Sequence, residues 1–477
     1  MSRAGAALRG GPLARRDFRL LAAGQLTSTV GDYCYAVALP WLILSAHGGP
    51  VLLGTVLACY GVPRTVLIPV GGLLADKMSP RAVMLGADTV RAALVAVLAV
   101  LAAGHVVALV ALGPVAAVVG AGEGLFIPAS AAIMPALLPP AQLQAGNALN
   151  GAALELGSLA GPVIGGTIVA LVGSAPAFAA DAATFAISAI TLALIGARAV
   201  AAAQPATTAA AVVPEPGAEA PGAELPGGLT PGAAAAAART LPGEDENAAA
   251  RPAPADPAGP SGLGALGGQA GFWALLRHAR LLRVIVVVTV AANFAFGGTF
   301  EVALPALAHA RFGASGYGAM IACLGAGAVL GTLAAARATG LRRPMLVASA
   351  LFVADGLTAA VIPFGGIAGA AAACFVFGIA NGLGNVLTLT LIQRWAPPQL
   401  LGRVMSIVML ASIGMFPVSV LIAGLLVRHV GTTPFFPIAG GILILAVLGA
   451  LTQREYRTLG ASPGLDPAAG AAPEPAT

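Results

Sequence analysis

The sequence predicts an all-α membrane protein in which twelve transmembrane helices form two pseudo-symmetric six-helix bundles. Three observations predict it. Hydrophobic residues make up 58% of the 477-residue chain and charged residues only 9%, a balance outside the range of water-soluble domains. Twelve apolar windows recur along the chain, each near the ~20 residues that cross a ~30 Å hydrocarbon layer. Short motifs in the first six windows return in the last six at a nearly constant offset.

In order, the windows cover residues 18–45, 51–75, 82–103, 107–133, 145–172, 176–197, 282–308, 315–336, 344–363, 366–392, 404–427 and 432–452. Runs this long and unbroken close their backbone hydrogen bonds as helices, not as barrel strands. Residues 1–17 form an N-terminal arm with Arg3, Arg9, Arg15 and Arg16, and 18–197 form the first bundle. Residues 198–271 are rich in Ala, Pro and Gly and too poor in large apolar side chains to bury a core, so a disordered linker is expected. The second bundle takes 272–457, entered through a short amphipathic stretch with Arg277, Arg280 and Arg283, and 458–477 form a disordered tail.

The net charge of +5 reads as orientation rather than as polyanion binding. Of 24 Lys and Arg, twenty fall in the termini, in loops or at span ends on one side of an even-span topology; Arg311 and Arg428 fall on the other, and Arg64 and Arg91 sit deep inside spans. This asymmetry places both termini in the cytoplasm, and a multi-pass location in the plasma (inner) membrane is expected. Cys34, Cys59, Cys323 and Cys374 lie in separate spans with no CxxC pair, which indicates neither a disulfide framework nor a metal site. The first span is too long and too polar for a cleaved signal. No cofactor is implied. Scattered serines and histidines form no nucleophile–base set, so an enzyme is not expected.

The internal echoes are specific. Val-Ala-Leu-Pro occurs at 37–40 and 302–305, Pro-Pro-Ala-Gln-Leu at 139–143 returns as Pro-Pro-Gln-Leu at 397–400, and Gly-Glu-Gly-Leu at 122–125 returns as Ala-Asn-Gly-Leu at 380–383. Each pair lies six spans apart. Such duplication places a substrate cavity between the halves near the midplane, worked by rocking one half against the other.

Span 1 carries the most informative residue. Gln25, Ser28, Asp32 and Tyr35 fall on one helical face, and an acid at the bilayer centre costs roughly 3 kcal/mol or more unless it faces protein or water. The stripe is therefore expected to line an internal cavity. At ~1.5 Å per residue, Asp32 lies roughly 21 Å and Arg64 roughly 18 Å from one membrane face, so Arg64 is the expected counter-charge. Two roles remain for the pair: a proton-coupling site, or a static tie between spans 1 and 2. Glu123 and Glu155 also fall near mid-depth, each a candidate proton site, an acceptor for a cationic substrate, or a partner of Arg91. Asp181 and Glu301 fall toward the outer ends, where water satisfies them, and Asp355 is on a peripheral span. Asn293, Phe296, Asn381 and Asn385 are the expected cavity lining from the second half. Few fixed polar contacts on an apolar wall suit lipophilic substrates.

The loop after span 2, Gly72-Leu-Leu-Ala-Asp76-Lys77-Met-Ser-Pro-Arg81, resembles the signature loop of the major facilitator superfamily. Gly72, Asp76, Lys77 and Arg81 meet its pattern, while Ser79 and Pro80 replace its usual Gly and Arg. The resemblance implies that Asp76 helps lock a cytoplasmic gate, with Asp88 and Arg91 extending the network inward. Gly157, Gly161, Pro162, Gly165 and Gly166 on span 5 match the motif characteristic of that family's drug/proton antiporters. With Gly402-Arg403-Val-Met-Ser406 and Asn147-Ala-Leu-Asn150, the chain is similar to the macrolide- and enterobactin-exporter branch, except that span 4 lacks the family's arginine. The resemblance implies the major facilitator fold and proton-coupled efflux of a hydrophobic or amphipathic small molecule, such as a macrolide, another drug or a siderophore, by alternating access. An uptake symporter and a lysophospholipid or lipid transporter of the same fold are the competing expectations. The expected partners are small-molecule substrate, protons and membrane lipid, with no nucleic acid, and the chain is expected to act as a monomer.

Overall fold

Twelve long helices dominate the structure, a computed structural model that describes residues 11–196, 279–338, 341–396 and 400–460. These stretches belong to one compact unit. Residues 1–10 of the arm, the whole linker, the lead-in up to 278, Pro397–Gln399 and the tail from 461 lie outside the described residues. The helices are α1 (Arg16–Ser45), α2 (Gly49–Lys77), α3 (Pro80–Ala103), α4 (Leu109–Leu137), α5 (Pro140–Val172), α6 (Ser174–Leu194), α7 (Arg280–Arg311), α8 (Gly313–Arg337), α9 (Pro344–Phe364, its last turn a 3₁₀-helix), α10 (Gly366–Trp395), α11 (Leu401–Val430) and α12 (Thr432–Leu451). A four-residue helix, Arg454–Arg457, follows. Eleven of the long helices, α2 to α12, are long and apolar enough to cross a membrane. The remaining one, α1, is as long as its neighbours at 30 residues, but its polar stripe lowers its hydropathy.

The packing repeats across the halves. In the first, α1 lies on α5 and α6, α3 on α4 and α6, and α2 on α4; in the second, α7 lies on α11 and α12, α9 on α10 and α12, and α8 on α10. Every pairing recurs six helices later. Odd-numbered helices begin at a face carrying Arg15, Arg16, Lys77, Arg343 and Arg394, here termed the basic face. The opposite face is crossed by very short turns, one residue long at Gly173, Phe312, Gly365 and Gly431.

Those turns repeat too. Gly173 joins α5 to α6 at φ 90° and Gly431 joins α11 to α12 at φ 93°, with ψ near 180° at both. This region is almost closed to residues with a Cβ. Gly173→Ala and Gly431→Ala are each expected to destabilise the protein by about 1–3 kcal/mol. The control is Gly441→Ala, a helical position with open space around it. Thermal unfolding of the purified protein checks this: equal midpoints for all three variants would contradict it.

Two helix irregularities shape the contact between the halves. Within α7, residues Gly298–Ala303 form a π-helical turn, a feature that inserts an extra residue and tends to occur at functional sites. Helix α11 breaks at Gly414, because Pro417 cannot donate to the carbonyl of Ile413 and clashes with it. That freed carbonyl accepts a hydrogen bond from Thr65 Oγ1 of α2 at 3.5 Å, so the break is used to join the halves.

The halves meet along two seams near the non-basic face, α2 against α11 and α5 against α8. Small residues make both possible. A Cβ on Gly424 would lie 2.6 Å from the Pro50 carbonyl oxygen, and one on Gly318 would lie 2.6 Å from that of Pro162. Toward the basic face the seams open. No residue of α2 from Gly49 to Gly61 is exposed, whereas Val62, Val66, Val70 and Leu73 are. Helix α2 packs on the Met415–Val430 part of α11, whereas the Leu401–Ile413 part, nearer the basic face, packs on α7 of its own half. The chain is caught closed at the far face and open at the basic one.

Candidate functional site

Helix α1 is enclosed by protein. None of its residues from Gly24 to Leu44 is fully exposed, yet Asp32 keeps 41% of its side-chain accessibility. Its carboxylate therefore borders internal space rather than acyl chains. Oδ1 accepts a hydrogen bond from Arg91 Nη2 at 2.5 Å. One turn earlier on α3, Asp88 lies 3.7 Å from the same guanidinium. The guanidinium carbon sits 3.9 Å from the centroid of the Phe185 ring on α6, within cation–π range. Asp88 in turn accepts from Ser188 Oγ of α6 at 2.6 Å. One arginine thus holds two carboxylates and an aromatic face.

Backbone closeness allows this. A Cβ at Gly31 would collide with Thr184 Oγ1 and Asp181 Oδ1, and one at Gly122 of α4 would lie 2.9 Å from Arg91 Cγ. Glycine at these points lets α6 and α4 close on the cluster. A second pair lies beside the first: Arg64 Nη2 is 3.1 Å from Glu123 Oε1.

The expected pairing of Asp32 with Arg64 is therefore corrected: Arg91 is the partner of Asp32, and Arg64 that of Glu123. Depth alone suggests otherwise, but α2 packs closely on α4, where Gly120 and Gly124 lie against the backbone of Tyr60 and Arg64. Of the stripe on α1, only Asp32 reaches open space. Gln25 and Ser28 are each 4% exposed, and the Tyr35 hydroxyl is buried between α1 and its own bundle with no partner, its ring edge-on to Phe178. That face of α1 turns into the first bundle, not toward the second. Glu155 is exposed on α5 and forms no ion pair among the described residues; it lies within electrostatic reach of Tyr33.

Two acids expected at watery outer ends are elsewhere. Asp181 is completely buried, accepting from Thr184 Oγ1 at 3.3 Å, because Gly31 lets α6 seal against α1. Glu301 is half-buried in the π-helical turn of α7, which packs on α2, the helix that carries Arg64. Neither position carries a sequence signal beyond the acid itself; the π-helical turn is invisible to spacing.

The signature loop divides. Ser79 caps α3, accepting from the Ala82 amide at 3.2 Å, with Pro80 at the first helical position, the combination that starts helices well. This explains the departure from the usual Gly and Arg. Arg81 donates to the Leu192 and Ala193 carbonyls at the end of α6, both at 2.7 Å. Asp76 and Lys77 are exposed, and neither pairs with the second half among the described residues, as a face that stands open requires. Gly72 has room to spare, while Gly71 is the close contact, against Leu125 of α4. In the span-5 motif, Gly157, Gly161 and Gly165 lie against Thr29, Tyr33 and Cys34 of α1, and Gly166 lies against Gly318 of α8. The motif joins the charged helix to the seam between halves.

In the second half, Asn385 Nδ2 donates to Asn381 Oδ1 at 2.9 Å, and Asn381 Nδ2 to Asp355 Oδ2 at 3.4 Å. Phe296, Phe300 and Phe377 pack as a trio with centroids 4.7–6.1 Å apart. Asn293 donates to the Thr289 carbonyl at 2.9 Å. Asp355, expected at the periphery, is fully buried and shares a small cavity with Phe296 and Asn381. No group of metal-ligating side chains occurs among the described residues.

The family model described as Major Facilitator Superfamily matches residues 21–412. A multidrug efflux pump, Tap, of Mycolicibacterium fortuitum is 32% identical over 166 residues, 33% of this chain and 40% of that protein. Tap of Mycobacterium tuberculosis is 30% identical over 185 residues, 37% of this chain and 43% of that protein. An uncharacterised major-facilitator-type transporter from Bacillus subtilis, YfiS, is 28% identical over 181 residues, 37% of this chain and 42% of that protein. The matched stretch thus spans about two fifths of each relative. Among solved structures, the nucleoside transporter NupG superposes with a TM-score of 0.62 at 12% identity, covering 91% of this chain and 98% of that one. A peptide transporter, POT, in complex with sulfate gives 0.64 at 16%, covering 93% and 96%. At such identities these likenesses bear on the fold alone.

Proposed function

Because the chain belongs to the Major Facilitator Superfamily, we propose that this membrane transporter expels a hydrophobic or amphipathic small molecule in exchange for protons by alternating access. The basic face is cytoplasmic in this reading, by the excess of Lys and Arg there, and the membrane is the plasma membrane. The observation that carries it is the Asp32–Arg91–Asp88 arrangement beside open internal space. A proton taken by Asp32 removes one of the two charges on Arg91 but leaves it Asp88 and Phe185, so the arginine is never stranded. Protonation is thereby affordable inside the bundle, where an unpaired charge is not. Arg64, paired with Glu123 on the helix that meets the π-helical turn carrying Glu301, links the charge state to the approach of the halves.

The substrate enters from the basic side, along walls of exposed Val and Leu with few fixed hydrogen-bonding groups. Those walls support lipophilic substrates, and the partial kinship with a multidrug efflux pump points the same way. A membrane potential supplies about 2.3 kcal/mol per charge per 100 mV, so one exchanged proton supports more than tenfold accumulation. Proteoliposomes with an imposed pH gradient, screened over macrolides, dyes, siderophores and lysophospholipids, provide the test. Substrate movement is expected to drive protons the opposite way. Protons moving with the substrate would make the protein a symporter, and no proton movement with any transported compound would end the proposal.

A further inference from the structure

A second buried carboxylate lies in the other bundle with no base opposite it. Asp355 on α9 is 0% exposed, and it enters no ion pair among the described residues. The groups that face it are Asn381 and Phe377 from α10, Phe296 and Thr299 from α7, and Gly440 and Leu443 from α12. None is charged. Asn381 satisfies one carboxylate oxygen at 3.4 Å, while Oδ1 has no partner; Thr299 Oγ1, on a residue 1% exposed, has none either. Both residues line a cavity of about 10 Å³, room for about one water-sized species.

Pseudo-symmetry accounts for the missing counter-charge. Asp355 lies eleven residues past Pro344, which opens α9, just as Arg91 lies eleven past Pro80, which opens α3. Five residues before the repeated Val-Ala-Leu-Pro stand Asp32 in the first half and Gly297 in the second. The echoed tetrapeptides pair Glu123 with Asn381. The second half thus has an acid where the first has its base, and a glycine where the first has its acid. An ionised carboxylate without a cation in such surroundings is far costlier than the neutral acid.

We propose that Asp355 is a proton-binding site of the second bundle, loaded and emptied through the internal chamber. A hydronium ion entering the cavity transfers its proton to Oδ1 and stays as the water that fills it. That water accepts from the new O–H and donates to Thr299 Oγ1 on the cavity wall, while Asn381 holds the other oxygen. The approach runs past Phe296, 37% exposed, and past Asn385, which anchors Asn381. The cavity is too small for a drug-sized molecule, which favours a proton over a substrate amine. The role as a coupling site rests on the transport reading; the binding of a proton does not.

The test is infrared difference spectroscopy of the purified full-length protein in lipid nanodiscs, titrated over pH. A carboxylic C=O band is expected that is absent in Asp355→Asn, a near-isosteric change that mimics the neutral acid. Thr299→Val should shift that band by removing the hydroxyl that holds the bridging water in the cavity, which keeps the inference testable if the asparagine variant fails to fold. Identical spectra for the wild type and a folded Asp355→Asn, or an unmoved band in Thr299→Val, would overturn it. Proteoliposome measurements then give the proton-to-substrate ratio, expected to fall by one in Asp355→Asn. A band without proton-coupled transport would sink the transport reading and spare the site. Coupled transport without the band would do the reverse.

Discussion

Asp32→Asn is expected to abolish the proposed proton-coupled export while leaving the protein folded. Removing one partner of a buried ion pair ordinarily costs about 3–5 kcal/mol, because a bare charge is left behind. Here Arg91 retains Asp88 at 3.7 Å and the Phe185 ring, and asparagine keeps an oxygen for its N–H, so the loss of stability should be well below that range. What disappears is the group that changes charge. Uphill transport in proteoliposomes should fall to the level of empty vesicles at every pH, while downhill equilibration of the same substrate persists. A variant that concentrates substrate as the wild type does across the pH range would remove Asp32 from the mechanism.

Gly318→Leu holds the far face apart. A Cβ there already falls 2.6 Å from the Pro162 carbonyl and 3.0 Å from Gly166 Cα, and both belong to the opposing backbone, which cannot rotate away. Overpacking of this kind costs typically about 1–3 kcal/mol, borne only by the conformation in which α5 and α8 touch. At the upper end that is roughly a 100-fold shift in population toward separated halves. Spin labels on Ala46→Cys and Ala310→Cys, both exposed at the far face, in a background without the four native cysteines, should report a longer separation than in the wild type. Transport should drop by a similar factor, since a gate that cannot close cannot alternate. An unchanged distance distribution would mean that this seam is not the gate.

The fold is largely legible in the sequence because its determinants are one-dimensional. Helix length follows from apolar run length, and the two halves announce themselves through Val-Ala-Leu-Pro and the Pro-Pro loops. The importance of Asp32 is legible for the same reason: an acid in the middle of an apolar run needs a protein-made surrounding. Its partner is not. Depth can be counted along a helix, but which way a side chain faces depends on how neighbouring helices are turned, and glycines decide that here. Gly120 and Gly124 draw α2 onto α4 and give Arg64 to Glu123; Gly122 clears the path by which Arg91 reaches Asp32. Asp181 and Glu301 escape such counting because distance from a helix end says nothing of a neighbour sealing over it or of a π-helical turn. Asp355 looks peripheral by helix number, yet its side chain points inward.

The one-residue connections at Gly173, Phe312, Gly365 and Gly431 have a practical corollary. With the basic face inside the cell, proteases or antibodies added to intact cells would find almost no polypeptide to grip, only Ala46–Gly48 and Gly104–Ala108 standing between helix ends. Epitope tags and reporter fusions belong on the cytoplasmic side, and a blocking agent applied from outside would have to work through the lipid rather than from the medium.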